Sequence, residues 1–178
     1  MKLSNTLYPF LFGLIGIFAF SPFSIKFLIF ISYIYLIKAI LYKERNALTK
    51  LFCWGIGHWG FGMSWLIVSI YYYGEVDLTT SILIFSLLVI LLTFVFTIPL
   101  LLAITLISSL KIKSKPTKII LVSGIFLLTE FTRYFFLNGV PWLIPGNIFL
   151  DTITQSTYSV FGVSLASLLI YLICSIIV

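Results

Sequence analysis

Residues 78–110 contain no charged side chain, and this long uncharged segment most restricts how the chain can fold. As a helix rising ~1.5 Å per residue, it is longer than the ~30 Å hydrocarbon core of a bilayer. The rest of the sequence agrees, because 61% of the 178 residues are hydrophobic and only 9% are charged. A soluble domain has about 25% charged residues. The composition therefore predicts a helical integral membrane protein and excludes an ordinary soluble enzyme, a disordered regulator and a secreted disulfide scaffold.

Apolar segments of membrane-spanning length recur along the chain. A spanning helix needs about 20 apolar residues, because the backbone must form its hydrogen bonds within the segment. We predict an all-α fold, a polytopic transmembrane helical bundle of about six helices that forms one transmembrane domain over residues 1–178. The first two spans are expected to form a helical hairpin at Ser21-Pro22, and the fourth is expected to tilt and to kink at Pro99. The predicted spans are residues 7–20, 24–42, 51–73, 79–110, 118–137 and 157–177.

Positive charges are distributed unevenly among the predicted loops. If six helices alternate in direction, eight cations lie on one side, and the opposite loops have acidic residues but no Lys or Arg. By the positive-inside rule, the N-terminus is predicted to be cytoplasmic and residues 74–78 and 138–156 to face outward. The net charge of +6 then reflects topology, and no nucleic-acid partner is expected. The cations are Lys2, Lys43, Arg45, Lys50, Lys111, Lys113, Lys115 and Lys118, and the opposite acidic residues are Glu75, Asp77 and Asp151.

A cleavable signal peptide is the alternative interpretation of the N-terminus. A positive residue, an apolar segment and the triplet Ala19-Phe20-Ser21 are typical of such a peptide. Pro22 would directly follow the cleavage site, and the next apolar segment begins at once. We therefore favour a retained first span.

A glycine-rich motif in the third predicted span has the spacing of a dinucleotide-binding fingerprint. The segment Gly55-Ile56-Gly57-His58-Trp59-Gly60 matches it, but the fingerprint requires a preceding strand and a βαβ unit. We reject that function and expect Gly55, Gly57, Gly60 and Gly62 to allow a neighbouring helix to approach closely. His58 is the only histidine, so we interpret it as a packing or interfacial residue and expect no metal site and no cofactor.

The two cysteines, Cys53 and Cys174, both lie in apolar segments. An apolar environment disfavours the thiolate, so neither is a good candidate nucleophile. No disulfide framework is expected from two cysteines in this setting.

Glu130 and Arg133 in the fifth predicted span are three residues apart and therefore share a helix face. Charges inside a membrane helix are costly and usually face a protein interior or a watery cavity. Two interpretations stay open: a self-neutralising pair that orients the helix, or a functional pair in which Arg133 reaches a headgroup phosphate.

The segment 138–147 follows, with two prolines and two glycines around Trp142. It is predicted to be a re-entrant or interfacial element, with an aromatic membrane anchor as the alternative.

Four segments, in this order and at this spacing, resemble the membrane domain of bacterial apolipoprotein N-acyltransferases. The resemblance covers nearly the whole chain. The sequence departs from the family's usual residues at Tyr134, Val140 and Asn147, where Gly, Phe and Tyr are usual. The matching segments are Phe12-Gly13 through Phe23, Trp54-Gly55 through Ile70, Thr129 through Arg133 with Asn138-Gly139-Val140-Pro141-Trp142, and Gly162-Val163-Ser164.

The resemblance implies an enzyme of the bacterial inner (cytoplasmic) membrane that acts on two partners. It would transfer an acyl chain from a phospholipid to the N-terminal diacylglyceryl-cysteine of a lipoprotein. In that family a Cys thiolate accepts the acyl chain as a thioester, with Glu as base and Lys as stabiliser, in a nitrilase-like domain. We expect that domain to be missing here, in a fragment or truncated product that is inactive alone, so no catalytic residue is carried over.

The residues that the resemblance does carry over are expected to bind substrate. Arg133 and Trp142 are expected to hold the donor headgroup and acyl chain. The full set of expected substrate-binding residues is Glu130, Arg133, Pro141, Trp142 and Trp65.

A second hypothesis is a stand-alone membrane protein, such as a scaffold or lipid-binding partner, that uses the same helices without catalysis. A small transporter or channel is disfavoured, because intramembrane polar residues are few and no internal repeat is visible.

Overall fold

The computed structural model describes residues 5–135 and 139–178, and within these ranges the protein is all-α. Lys2, Asn138 and the end of the fifth predicted span lie outside the described residues. Two short 3₁₀ helices, Pro145–Phe149 and Gln155–Thr157, precede the last α-helix. The seven α-helices of the described ranges are α1 (Leu7–Ile17), α2 (Leu28–Leu41), α3 (Ala47–Gly62), α4 (Trp65–Tyr73), α5 (Leu78–Ser109), α6 (Lys115–Phe135) and α7 (Tyr158–Ile177).

Among the described helices, α5 and α7 are each long and apolar enough to cross a membrane, although α7 is kinked at Gly162, whose φ of 70° and ψ of 170° are not helical. The pair α3 and α4 would form a third span if its two parts, bent by 56°, act as one. The apolar helices α1 and α2 have 11 and 14 residues, fewer than the ~20 that a full crossing requires. The 21-residue helix α6 includes four charged side chains. The protein is thus a helical membrane bundle, and the division into six spans stays a prediction.

The residues of the third predicted span form two helices rather than one. The break follows Gly62, where an added Cβ would lie 2.5 Å from Leu143 Cδ1. Ser64 caps the break by donating its hydroxyl hydrogen to the Phe61 carbonyl at 2.9 Å. The bend therefore makes room for a loop that arrives from a distant part of the sequence. By contrast, α5 continues through Pro99 as a single helix of 32 residues.

The core is an aromatic cluster where α2, α3, α5, α6 and α7 meet. All six rings are buried, and neighbouring ring centroids are 4.9–6.0 Å apart. Each such pair contributes about 0.5–1.5 kcal/mol beyond its buried area. The cluster fixes how the helices pack around one centre, and its members are Tyr33, Trp54, Trp59, Phe96, Phe126 and Tyr171.

Glycines bring α1 and α3 into backbone contact. A Cβ on Gly57 would collide with the Phe10 carbonyl, and one on Gly13 would collide with the Trp54 carbonyl. The expected close approach is confirmed there and at Gly55, where a Cβ would meet Thr93 of α5 at 2.8 Å. The prediction of a close approach is wrong for Gly60. A Cβ added there would lie 3.9 Å from its nearest neighbour, Val89, which is an ordinary van der Waals distance. Residues 55–60, which form the glycine motif, are all helical. This agrees with our rejection of a nucleotide-binding loop at this position.

The charge distribution differs from the prediction at one position. Because α2 begins at Leu28, Lys26 lies in the α1–α2 connection, outside the helix. Its Nζ donates a hydrogen bond to the Ile148 carbonyl, so the bundle end predicted to face outward does carry a lysine. At the opposite end, Lys115 and Lys118 line the same small pocket as Tyr42, which follows α2. The cytoplasmic location of the N-terminus remains a prediction.

Candidate functional site

The segment that follows α6, residues 139–151, folds over one end of the bundle without forming an α-helix, as predicted. Its apolar residues insert between the helices, while Trp142 stays 42% exposed. A surface anchor alone would not bury this much of the segment. Its buried residues are Val140, Ile144, Pro145, Gly146 and Ile148.

Arg133 lies beneath this loop and binds its backbone. Its Nη2 donates hydrogen bonds to the carbonyls of Val140, at 3.0 Å, and Trp142, at 2.5 Å. The guanidinium carbon lies 5.5 Å from the centroid of the Trp59 ring, within range of a cation–π contact. Only 4% of Arg133 is exposed, so its guanidinium is surrounded by protein. A role for Arg133 in binding a headgroup stays a prediction. The guanidinium binds the loop carbonyls because a buried cation needs strong hydrogen-bond acceptors in place of water.

Glu130 lies one turn earlier on α6 and is also 4% exposed. Tyr171 of α7 donates its phenolic hydrogen to Glu130 Oε1, whereas Glu130 Oε2 has no hydrogen-bond partner among the described residues. Within residues 5–135 and 139–178, the one salt bridge joins Lys50 to Glu44. Glu130 and Arg133 thus form no direct salt bridge, although their opposite charges interact electrostatically, and their interpretation as a self-neutralising pair stays a prediction. The two side chains share a helix face but bind different elements, α7 and the loop.

Ser167 and Tyr171 were missed in the sequence analysis. Ser167 Oγ accepts a hydrogen bond from the Gly146 amide at 3.0 Å, so it links α7 to the loop. One signal could have revealed them. Ser167, Tyr171 and Ser175 occur at intervals of four on an apolar helix, and all three are buried on one face.

An open cleft of about 580 Å³ lies at the loop end of the bundle, between the α1–α2 connection, the α3–α4 bend and the loop. Trp65 and Trp142 form one edge, with ring centroids 5.4 Å apart in an edge-to-face arrangement. We call this site the tryptophan cleft. Its other aromatic walls are Phe20, Phe23 and Phe61, and its polar lining includes Ser21, Ser24, Lys26, Asn147 and Asp151.

The structure brings together two of the five expected substrate-binding residues, since Trp65 and Trp142 both line the cleft. Pro141 is exposed and precedes the lining residues Trp142 and Leu143 in the loop. Glu130 and Arg133 lie buried underneath, where they contact α7 and the loop backbone.

His58 packs in the interior, as expected. It is 1% exposed, its ring stacks on Trp54 with centroids 4.5 Å apart, and its Nδ1 donates to the Gly13 carbonyl at 3.1 Å. Cys53 is partly buried, Cys174 is buried, and both are free thiols. In the part of the chain that the structure describes, His, Cys, Asp and Glu form no group of three that could hold a metal ion.

These features define a class of protein: a helical membrane domain with an aromatic cleft at one end, closed on one side by a loop held on buried polar groups. Residues 12–176 match the family model described as apolipoprotein N-acyltransferase N-terminal domain, and the chain belongs to this family.

Three apolipoprotein N-acyltransferases are similar to the chain. The relative from Haemophilus influenzae is 33% identical over an alignment of 157 residues that covers 85% of this chain. The relative from Pasteurella multocida is 31% identical over an alignment of 153 residues that also covers 85% of the chain. The relative from Haemophilus ducreyi is 31% identical over an alignment of 167 residues that covers 93%. The chain spans 28%, 28% and 32% of the lengths of these relatives.

Proposed function

We propose that this chain is the membrane domain of an apolipoprotein N-acyltransferase and that its own task is to hold the phospholipid donor. The complete reaction would break an ester bond of the phospholipid and form an amide at the N-terminal diacylglyceryl-cysteine of a lipoprotein. The amine would lose one proton, and a lysophospholipid would leave. Family membership supports this assignment, as does similarity to relatives that carry this name. The bacterial inner membrane is the proposed location.

The tryptophan cleft is the observation that carries the proposal. A phospholipid needs an apolar wall for its acyl chains and polar groups for its headgroup, and the cleft offers both kinds of lining. Trp65 and Trp142 are 46% and 42% exposed at its edge, and the Lys26 and Asp151 side chains are part of its lining. Tryptophan favours the interface between hydrocarbon and headgroups, where its ring is buried and its N–H stays in a polar environment. The cleft thus suits a lipid that enters from the membrane.

The five expected substrate-binding residues take two different roles in this proposal. Trp65 and Trp142 contact the lipid directly. Pro141 restricts the backbone immediately before Trp142, because its ring fixes φ near about −65°. Arg133 acts from below by binding the carbonyls of Val140 and Trp142, and Glu130 acts through its contact with α7.

Photo-crosslinking tests lipid binding at the cleft. The full chain is placed in lipid nanodiscs that contain a phospholipid with a photoreactive acyl chain, and labelled peptides are mapped by mass spectrometry. We expect labelling on residues 61–65 and 142–151, and a loss of about tenfold in the Trp65→Ala, Trp142→Ala double variant, as for hot-spot aromatic residues. Tyr72→Ala is the matched control, because Tyr72 is an aromatic residue of α4 that is 69% exposed and does not line the cleft. Equal labelling in all three proteins would contradict the proposal.

A chimaera tests the acyltransferase assignment against a non-catalytic lipid-binding or scaffold protein. This chain replaces the matching part of the Haemophilus influenzae relative, and transfer of a labelled acyl chain to a diacylglyceryl peptide is measured. We expect activity that is lost in the Trp65→Ala, Trp142→Ala chimaera. A chimaera that binds lipid at the cleft but transfers nothing, while the parent enzyme is active, would favour the non-catalytic alternative.

A further inference from the structure

The 139–151 loop is held at two places by different helices. On one side, Arg133 of α6 binds the carbonyls of Val140 and Trp142. On the other side, α7 binds Gly146 twice: Ser167 Oγ accepts from its amide at 3.0 Å, and the Tyr158 hydroxyl donates to its carbonyl. Trp142 is therefore itself one anchored point, and the second, Gly146, lies four residues further along the loop.

Gly146 is the position that allows the loop to approach α7 so closely. A Cβ on Gly146 would collide with the Val163 carbonyl and would lie 2.9 Å from Ser167 Oγ. The backbone of the loop thus touches the backbone of α7, which leaves the Gly146 amide no access to water. An unpaired buried amide is costly, so the Ser167 hydroxyl is required as its acceptor.

Between the two anchors, the backbone has a conformation that does not persist without support. Leu143 has a φ of 57°, in the left-handed region that branched and bulky residues rarely adopt. Its side chain fits against Gly62 at the α3–α4 bend, next to Trp65. If the anchor at Gly146 is released, Leu143 can relax to negative φ, and Trp142 then moves away from Trp65.

Ser167 lies near the buried Glu130 carboxylate, because it precedes Tyr171 by one turn on the same buried face of α7. Tyr171, one turn further along α7, donates to Oε1 of the same carboxylate. Ser167, Tyr171 and Glu130 therefore form one polar group between α6 and α7, directly under the loop.

We infer that Ser167 and Tyr171, together with Glu130, are positioning residues that hold the 139–151 loop and thereby fix Trp142 beside Trp65 at the tryptophan cleft. They act through the loop backbone and do not touch the lipid. The inference rests on the proposed function in one respect, because the proposed function supplies the lipid that Trp142 binds. The positioning of Trp142 depends only on how the loop is held.

Fluorescence quenching of Trp142 tests the inference in the full chain in nanodiscs. A Trp65→Phe background keeps an aromatic ring at the cleft edge and leaves Trp142 as the exposed tryptophan, because Trp54 and Trp59 are 0% and 1% exposed. In this background Ser167→Ala and Tyr171→Phe are compared with Ser123→Ala. Ser123 is the matched control: it is a fully buried serine that bonds Ser175 across the same two helices, at 3.2 Å, away from the loop.

We expect Ser167→Ala and Tyr171→Phe to raise the open fraction of the loop about fivefold, as loss of one hydrogen bond predicts. Acrylamide quenching of Trp142 should rise and its anisotropy should fall, whereas Ser123→Ala should change neither. If Ser167 had a purely structural role, Ser167→Ala and Ser123→Ala would lower the unfolding temperature by similar amounts, and Trp142 would be quenched equally in both variants. That result would overturn the inference.

Lipid crosslinking in the same samples separates the two proposals. Crosslinking with unchanged quenching in the variants overturns the positioning role alone. Increased quenching without any crosslinking in the parent protein overturns lipid binding while the positioning role stands.

Discussion

Tyr171 on α7 donates its phenolic hydrogen to the Glu130 carboxylate on α6, and this bond joins the two helices in the interior of the bundle. Both residues are almost completely buried. A carboxyl group in this position needs a donor, because water cannot supply one. The bond therefore stabilises the contact between two helices that also carry the cleft-forming loop.

Removal of this hydroxyl should measurably destabilise the protein. Tyr171→Phe keeps the ring in the aromatic cluster but leaves Glu130 Oε1 without its donor, which costs about 1–3 kcal/mol of unfolding free energy. Thermal unfolding in detergent micelles measures the change. Tyr72→Phe removes an exposed hydroxyl and should leave the transition unchanged. A Tyr171→Phe protein as stable as the parent would contradict the importance of this bond.

Replacement of Arg133 should destabilise the loop because hydrogen bonds are lost, and not because the net charge of the protein changes. Arg133→Gln leaves the carbonyls of Val140 and Trp142 without their cationic donor and should cost about 2–3 kcal/mol. The loop should also become accessible, so limited proteolysis should cut within residues 139–151. Lys113→Gln makes the same charge change at an exposed site and is expected to alter neither stability nor cleavage.

Two glycines of one helix should respond in opposite ways to the same substitution. Gly57→Ala places a methyl group against the Phe10 carbonyl, so α1 must shift, and we expect a loss of at least about 1–3 kcal/mol. Gly60→Ala meets its nearest neighbour at 3.9 Å and should gain up to about 1 kcal/mol from helix propensity. Unfolding temperatures of the two variants give the comparison. Similar losses in both would show that α1 and α3 do not pack as observed.

The start of α5 should loosen at low pH. Asp77 caps this helix by accepting from the Thr80 amide at 3.0 Å and the Thr80 hydroxyl at 2.6 Å, and these bonds lower the pKa of the Asp77 carboxyl. Because the folded pKa is lowered, the cap is fully effective above the usual value of about 4 and is lost as pH falls through the lowered pKa.

Hydrogen exchange at the amides of residues 78–81 measures this change. After correction for intrinsic rates, protection should fall as the pH is lowered below about 4. Asp77→Asn keeps an acceptor oxygen but cannot titrate, so its protection should be independent of pH over this range. A pH dependence that persists in Asp77→Asn would assign the effect to another group.

Much of the fold could be predicted because it depends on local composition. The uncharged segment 78–110 corresponds to one helix, Leu78–Ser109, and the sixth predicted span, 157–177, corresponds to Tyr158–Ile177. The close approach at Gly55 and Gly57 followed from small residues in an apolar helix. Trp65 and Trp142, two of the substrate-binding residues expected from the family resemblance, both line one cleft, and their role in binding stays a prediction.

Other features depend on neighbours that are distant in the sequence. The division of the third span into α3 and α4 follows from Leu143, which lies against Gly62. The position of Lys26 outside α2 brings it to the Ile148 carbonyl. Neither contact has a signal in the local pattern of apolar and polar residues, so neither could be predicted from the sequence.

The sequence by itself determined that this protein is a helical membrane bundle of the apolipoprotein N-acyltransferase N-terminal domain family, because hydrophobicity, helical period and family motifs are properties of the chain. Only the tertiary structure decided which partners Glu130 and Arg133 bind. A buried charge must find donors or acceptors wherever packing supplies them, and packing supplied α7 for one residue and a loop backbone for the other.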